Sequence, residues 1–367
     1  MKSLFLICLF IGQCFISKAQ SDTSFWFAAP DISSAFGYER PIVFRLTAYA
    51  QPCNVVISQP AGGGMPNQVV TVPANGTLTV NIENWVANVE CLANQVQSNG
   101  LKITSDNKVS AYYEVNVNGP NPEIFALKGR NALGNQFFIS SQYFLSNAPN
   151  YNPQPVSSFN IVAAEDNAVV TITPSANIVG HTAGVPFNVV LNKGQTYAAV
   201  ASSQLASQHL QGSTVSSTKP IAITLSDDLL LGTEYSGGCA DIAGDQTVPV
   251  SVTGTEYIAF ISNLNSPGDK LYITATQNGT VVNQDGTNVV TLNAGQSIQL
   301  SITTPITYIR TTAPAYAYQL AGYGCEAGSA ILPKLDCTGS SSVSVTRSND
   351  EYFALMLLVK NVYEITR

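Results

Sequence analysis

The chain has 367 residues, a formal net charge of −7 and only 11% charged side chains. Val, Ile, Leu, Phe and Tyr are plentiful, which excludes a disordered chain, while Asn, Gln, Ser and Thr carry most of the polarity. This composition is typical of extracellular β-proteins. The acidic balance and the lack of a basic stripe exclude nucleic acid and anionic lipid as partners.

Residues 1–19 have the pattern of a secretory signal peptide. Lys2 is followed by the apolar residues 4–16 and by a small residue, Ala19, where cleavage would leave Gln20 first. Cys14 suggests lipidation, but Gln13 stands where a small residue should precede it. The apolar stretch is too short to span a membrane. We therefore expect an exported chain, secreted or held at the cell surface, with no membrane span.

Strand signals dominate the rest of the chain, as alternating or β-branched runs bounded by Gly, Asn, Pro and Asp. Residues 85–94 and 202–210 are short exceptions that predict a turn or two of helix. Residues 353–359 are apolar but too short for a span, so they predict a buried strand. The clearest strand predictions are residues 42–49, 54–58, 68–72, 77–82, 101–104, 109–115, 169–173, 187–191, 196–200, 221–225, 271–275 and 288–292.

The strand pattern repeats along the chain. A strand, a glycine turn and a second strand recur at residues 69–80, 187–197 and 289–298, and the turn glycines predict tight hairpins. A second predicted hairpin follows each copy, at residues 103–111, 215–222 and 308–316. The repeats lie at approximately 40–145, 156–262 and 263–348 within the region 20–367. The strand pattern breaks off at Arg367, which suggests further C-terminal domains.

These repeats predict an all-β fold of tandem antiparallel four-stranded meanders. Six meanders would form a β-propeller, whereas each full repeat could instead form one β-sandwich. The meanders follow one another without long linkers, which slightly favours the propeller.

Several short motifs resemble the N-terminal domain of the IgG Fc-binding protein family, in the form found on secreted proteins of the Bacteroidota. They are the aromatic opening at residues 24–27, the segment 123–134, and the segments 244–250 and 254–257. The resemblance implies a modular surface or secreted protein. It implies no catalytic residues, and no residue here matches an IgG contact.

Acidic residues gather around residues 237–239 and offer the main candidate chemistry. Asp227, Asp228, Asp241 and Asp245 could hold Ca²⁺ or, as a carboxylate pair, act as a glycosidase, or they could form a solvated acidic loop. The segment lacks a calcium-loop motif. His181 and His209 are predicted to be exposed loop residues, with no motif for a catalytic triad.

Aromatic residues offer a candidate ligand surface. Tyr112, Tyr113, Tyr316 and Tyr318 are the predicted ligand-binding residues among a wider set that includes Tyr151, because flat rings bind sugars or peptides at low entropic cost. The alternative is that they pack within the sheets.

The cysteines predict disulfides in an exported chain. Cys53 could pair with Cys91, while Cys239 and Cys325 occupy matching places in successive repeats. Cys325 and Cys337 could instead close a short loop.

The sequence therefore predicts a non-catalytic binding or adhesion module of a larger bacterial surface protein. Its expected partner is an extracellular glycan or protein, and no cofactor is expected beyond the Ca²⁺ alternative. The competing hypotheses are a secreted carbohydrate-active hydrolase on a propeller and a structural spacer.

Overall fold

The computed structural model describes residues 21–117, 119, 121–231, 239–265, 268–335 and 355–358. Its regular structure consists of strands, short 3₁₀ turns and one four-residue α-helix. The predicted all-β class is confirmed. The strands form three large sheets, and each sheet defines one module.

The first module covers residues 22–126 and is followed by a 3₁₀ turn, η3 (Gly129–Ala132). Its elements are β1 (Asp22–Phe27), β2 (Ala29–Pro30), η1 (Ala35–Gly37), β3 (Ile42–Ala48), β4 (Cys53–Ser58), β5 (Gln68–Val72), β6 (Thr77–Asn81), η2 (Glu83–Trp85), α1 (Val86–Val89), β7 (Glu90–Cys91), β8 (Val96–Gln97), β9 (Leu101–Val115) and β10 (Glu123–Ala126). Of these, β8 pairs with the sheet of the second module, and β2 and β7 pair with each other in a separate two-stranded sheet.

The second module covers residues 134–246 and is followed by η5 (Val250–Val252). Its elements are β11 (Gly134–Phe138), β12 (Ser157–Ala163), β13 (Ala168–Thr173), β14 (Phe187–Leu191), β15 (Thr196–Val200), η4 (Ala206–Gln208), β16 (Thr214–Leu230) and β17 (Asp241–Gln246).

The third module covers residues 254–331. Its elements are β18 (Gly254–Phe260), β19 (Asn263–Leu264), β20 (Lys270–Ala275), β21 (Thr280–Gln284), β22 (Thr287–Leu292), β23 (Ser297–Ser301), β24 (Ile306–Gly324) and β25 (Glu326–Ile331).

One long strand organises each module. The first arm of β9 pairs with β1 and β4, and its second arm pairs with β3 and β10. Strands β5 and β6 extend these two layers at opposite ends of the sheet. The long strands β16 and β24 have the corresponding partners in the second and third modules. The same strand order therefore occurs three times.

The layers of each module enclose an apolar core, which follows from the alternation of buried and exposed residues along the strands. In the first module, Phe44 of β3, Val55 of β4 and Ile103 of β9 are fully buried in one cluster. A separate cluster between the first two modules contains Trp26 and Ala198. The modules are thus packed against each other through apolar side chains.

The slight preference for a propeller is wrong. Among the described residues, the strands form seven- and eight-stranded sheets rather than six four-stranded blades. Each sheet curls into a nearly closed, barrel-like module. The hydrogen bonds also group residues 134–138 with the second sheet, although the predicted first repeat extends to residue 145.

Both kinds of predicted hairpin are also wrong, although the strands themselves form where predicted. The segments 103–111, 215–222 and 308–316 are continuous parts of the long strands, because each arm pairs with other strands rather than with the opposite arm. The glycine turns connect β5 to β6 and their counterparts, which pair in different layers. Gly194 and Gly295 do adopt φ of 80° there, a conformation that glycine tolerates without steric cost.

The apolar segment near the C-terminus differs from its prediction within residues 355–358. These four residues form no strand, and Leu355 to Leu358 are each about half exposed. In the part of the chain that is described, no helix has the length and apolar character needed to cross a membrane.

Two valines in neighbouring strands test the packing of the first module. Val55 is fully buried in β4, whereas Val69 in β5 is 71% exposed. We expect Val55→Ala to lower the free energy of unfolding by about 2 kcal/mol, because it removes buried methyl groups and leaves a cavity. The matched Val69→Ala variant should change it by less than about 0.5 kcal/mol.

Urea unfolding followed by tryptophan fluorescence checks this prediction. Trp26 and Trp85 are the only tryptophans of the chain and both lie in the first module, so the signal reports on that module. Equal effects of the two substitutions would contradict the described burial.

Candidate functional site

A loop of the first module, residues 31–41, is fastened to the second module. Ile32 and Ala35 are buried and anchor it to the core. The Ser33 amide donates a hydrogen bond of 2.7 Å to Asp228 Oδ2, and the Ser33 hydroxyl donates one of 2.6 Å to the Pro153 carbonyl. Because its base is held in this way, the loop presents its middle residues to solvent.

Three aromatic rings cluster on this loop and the facing connector. We call Phe36, Tyr38 and Tyr151 the aromatic patch. Their ring centroids lie 5.7 Å (Phe36–Tyr38), 5.7 Å (Phe36–Tyr151) and 6.0 Å (Tyr38–Tyr151) apart. Phe36 is 82% exposed, while both tyrosines pack partly against the core of the first module.

Carboxyl groups lie on the loop 31–41 or accept hydrogen bonds from its base. Burial raises the pKa of Glu90 to about 9, and the carboxylates of Asp31 and Glu39 add to this shift. Desolvation by the surrounding protein, and then the charge of Glu39, raise the pKa of Asp31 to about 6 although its side chain keeps solvent contact. Burial likewise raises the pKa of Asp228 to about 8. Perturbed acids of this kind are common at binding sites.

Asp227 lies in a buried hydrogen-bond network below this loop. Its carboxylate accepts hydrogen bonds from Asn147 Nδ2 at 3.0 Å and Gln142 Nε2 at 2.5 Å, and it lies 3.2 Å from His209 Nδ1. His209 is therefore buried, and the prediction of an exposed loop histidine is wrong for this residue. Burial opposes the charge on His209, but the Asp227 carboxylate and further hydrogen bonds outweigh it and raise its pKa. His181 stacks on Phe187 and keeps partial exposure.

Asp241 and Asp245 have a different role, at the edge of the third module. Asp241 Oδ2 accepts a hydrogen bond from the Ala327 amide, and Asp245 Oδ2 accepts one from the Ile331 amide, both at 2.8 Å. Asp245 also pairs with Lys128 Nζ at 2.7 Å. Protein donors thus satisfy both carboxylates.

The four aspartates predicted as a calcium site do not converge into one cluster. Within the described residues, the group of three candidate ligands consists of Cys239, Cys325 and Glu326 instead. Two of these form a disulfide, so they do not offer thiolate ligands. Glu234, a further acid between Asp228 and Asp241 in the sequence, lies outside the described residues.

The disulfide joins Cys239 to Cys325, across 86 positions of sequence. Cys53 and Cys91 are both free and buried, so the pair proposed for them does not form. Cys53 lies in the core of the first module, whereas Cys91 lies in the cluster between the first and second modules. Cys337 lies outside the described residues.

The four predicted ligand-binding tyrosines lie in the interior, so they do not form an exposed face. Tyr112 and Tyr113 belong to the second arm of β9, and Tyr316 and Tyr318 to that of β24. Each is at most 9% exposed. The second arm is covered on both of its faces. Consecutive residues point to opposite faces, and both are therefore buried.

A pocket of about 110 Å³ lies between the first and third modules. Lys128 and Lys334 contribute to walls that are otherwise largely apolar. The hydroxyl of Tyr316 donates to the Val248 carbonyl at 2.9 Å, and that of Tyr257 donates to the Ala315 carbonyl at 2.5 Å. The phenols that line the pocket are thus already occupied by backbone acceptors.

Sequence reasoning missed two members of the aromatic patch. Tyr151 was among the wider set of aromatic candidates, but Phe36 and Tyr38 were not considered. The available signal was an apolar aromatic directly before Gly37, in a segment with no strand pattern. Such a side chain has no sheet face to bury it.

The repeated sheets define an all-β protein of three modules, with the aromatic patch facing solvent. The family model of IgGFc binding protein matches residues 125–361, and the chain belongs to this family. The match covers the second and third modules. The first module, which carries Phe36 and Tyr38, has the same strand order.

No curated protein matches the chain. Among solved structures, it is similar to a β-glucuronidase of Bacteroides uniformis, with 13% identity, 65% of this chain and 26% of that chain covered, and a TM-score of 0.14. A 1.5-MDa bacterial ice-binding adhesin shows 11% identity, coverage of 88% and 98%, and a TM-score of 0.14. Tandem repeats from the extending region of a large adhesion protein show 12% identity, coverage of 87% and 75%, and a TM-score of 0.12. These TM-scores carry no argument about function.

The raised pKa values predict a pH dependence of stability. Glu90 and Asp228 have folded-state pKa values of about 9 and about 8, above the unfolded values near 4. The native state therefore binds more protons between these limits, and its stability falls as the pH rises from about 5 to about 9. We expect the urea midpoint to decrease over this range.

The variant Glu90→Gln tests the main contributor. It should match the unmodified chain near pH 5, where Glu90 is protonated, and should exceed it in stability near pH 9. Tryptophan fluorescence at pH 5, 7 and 9 measures the difference. A variant with the same pH slope as the unmodified chain would show that the native state does not raise the pKa of Glu90.

Thiol chemistry tests the cysteine assignments. Cys53 and Cys91 should resist a thiol reagent in the native protein, because both are buried and burial raises the pKa of the Cys91 thiol to about 12. Both should react after unfolding in urea. A non-reducing peptide map should contain the Cys239–Cys325 pair, and a Cys53–Cys91 peptide would contradict the structure.

Proposed function

We propose that the chain is a non-catalytic recognition module of a larger extracellular protein. The observation that carries this proposal is the aromatic patch, in which Phe36 is 82% exposed on a loop that hydrogen bonds fasten to the second module. A large ring held in solvent offers contact area with little loss of side-chain entropy on binding. Membership of the IgGFc-binding family supports binding rather than catalysis.

The hydrolase alternative gains no support from the acidic residues that suggested it. Asp227, Asp241 and Asp245 are buried and accept hydrogen bonds from protein donors. A glycosidase pair needs two carboxyl groups that face a common substrate cleft.

Export through the segment 1–19 and location outside the cell are part of the same proposal.

An array that carries glycans, mucins and immunoglobulin Fc tests the proposal, with the chain from Gln20 onward as the probe. We expect saturable binding to at least one ligand class without chemical change of that ligand. EDTA should leave binding intact, because protein donors already engage the predicted calcium ligands.

Three outcomes would change this conclusion. Cleavage of a bound ligand would establish an enzyme instead. Loss of binding with EDTA would restore the calcium hypothesis. The absence of binding to every class would favour a structural spacer.

A further inference from the structure

Phe36 adopts a backbone conformation that its side chain does not favour. Its φ is 56° and its ψ is 14°, in the left-handed region that non-glycine residues seldom occupy. The following Gly37 also has a positive φ, of 77°. The ring at this position is 82% exposed, so the fold gains little apolar burial from it. Strain of this kind points to a role in binding.

The rings of the aromatic patch are tilted against one another. The interplanar angles are 46° for Phe36–Tyr38, 85° for Phe36–Tyr151 and 43° for Tyr38–Tyr151. No two of these rings are coplanar, so together they do not form one flat platform for an extended sugar chain. A cation placed over the triangle of centroids would instead lie within about 6 Å of all three rings, the range of cation–π attraction.

The loop that carries Phe36 and Tyr38 also carries carboxyl groups, which complement a cation. Asp31 is solvent-exposed, and none of the ion pairs between described residues includes it. Glu39 lies close enough for the two carboxylates to repel each other. Arg40 pairs with Glu39 at 2.9 Å, and its charge also acts on Glu90. An incoming positive charge would relieve the repulsion at Asp31.

From these observations we infer that the aromatic patch binds a lysine or arginine side chain of a protein ligand, with the Asp31 carboxylate as its counter-charge. The inference rests on the proposed recognition function and specifies its partner as a protein with a basic surface. Because Phe36 and Tyr38 precede residue 125, they lie outside the segment that the family model matches. Within this protein, the site combines the first module with the connector that carries Tyr151.

Saturation-transfer NMR with capped tetra-arginine tests the inference on the chain from Gln20 onward. Tetra-citrulline is the matched probe, because it keeps the shape of arginine without the charge. We expect arginine side-chain protons to receive saturation and citrulline to receive much less. Binding of tetra-arginine should weaken in 0.5 M salt, since exposed charges are screened over a few ångströms there.

Two substitutions at Phe36 separate a cation–π contact from a general apolar contact. Phe36→Ala and Phe36→Leu should each lower the affinity for tetra-arginine by about five-fold. Leucine keeps apolar area but has no π face. Asp31→Asn should also weaken binding. Tyr323→Ala removes a ring that is 74% exposed elsewhere and should leave binding unchanged.

Folding is checked first through the urea midpoint, which Phe36→Ala should not lower because the ring is exposed. Equal binding of the two peptides, or full affinity in Phe36→Leu, would overturn the inference. Binding of a neutral hexasaccharide that depends on Phe36 would also overturn it, in favour of a sugar site. An array ligand that binds Phe36→Ala as tightly as the unmodified chain would refute this site alone. If the chain binds no ligand on the array, the recognition function itself is refuted.

Discussion

The long strand shared by both layers is the constraint on which each module depends. In β9 and β16 one backbone segment supplies ladder hydrogen bonds to four strands, two along each arm, and in β24 the parallel strand β19 is added as a fifth partner. Between the arms lie polar residues or proline, such as Asp106, Pro220 and Pro314. Proline lacks an amide donor, so it suits a position where the ladder passes from one layer to the other. The remaining strands join the sheet by adding to these arms.

Carboxylates accept hydrogen bonds from the backbone amides on the outer edge of the sheet in the third module. Strand β25 pairs with β24 on one side, and its other side meets the second module. Asp241, Glu123 and Asp245 accept hydrogen bonds from the amides of residues 327, 329 and 331, which recur every second residue as on one edge of a strand. Unpaired edge amides would otherwise invite association with another chain. Asp241 and Asp245, which the sequence suggested as metal ligands, therefore join the modules instead.

The sequence was sufficient to predict the strands, because a strand depends on residues close together in the chain. Alternation decides which side chains of a strand face inward, and glycine marks the corners. It does not decide which strands pair, so segments such as 103–111 fitted a hairpin as well as a bent strand. The burial of both Tyr112 and Tyr113 could not be predicted for the same reason, since it depends on which strands cover each face. Alternation predicts one exposed neighbour, whereas contacts distant in sequence cover both faces.

The aromatic patch could not be predicted because its parts come from different modules. Phe36 and Tyr38 precede β3, while Tyr151 lies in the connector before β12, and Ser33 joins the two through Pro153 and Asp228. Such a site exists only when the first two modules are packed together. The contacts that fasten the modules are therefore also the contacts that position the rings. The proposed recognition at this surface and the cohesion of the modules depend on the same hydrogen bonds, so the proposed binding requires an intact junction between the two modules.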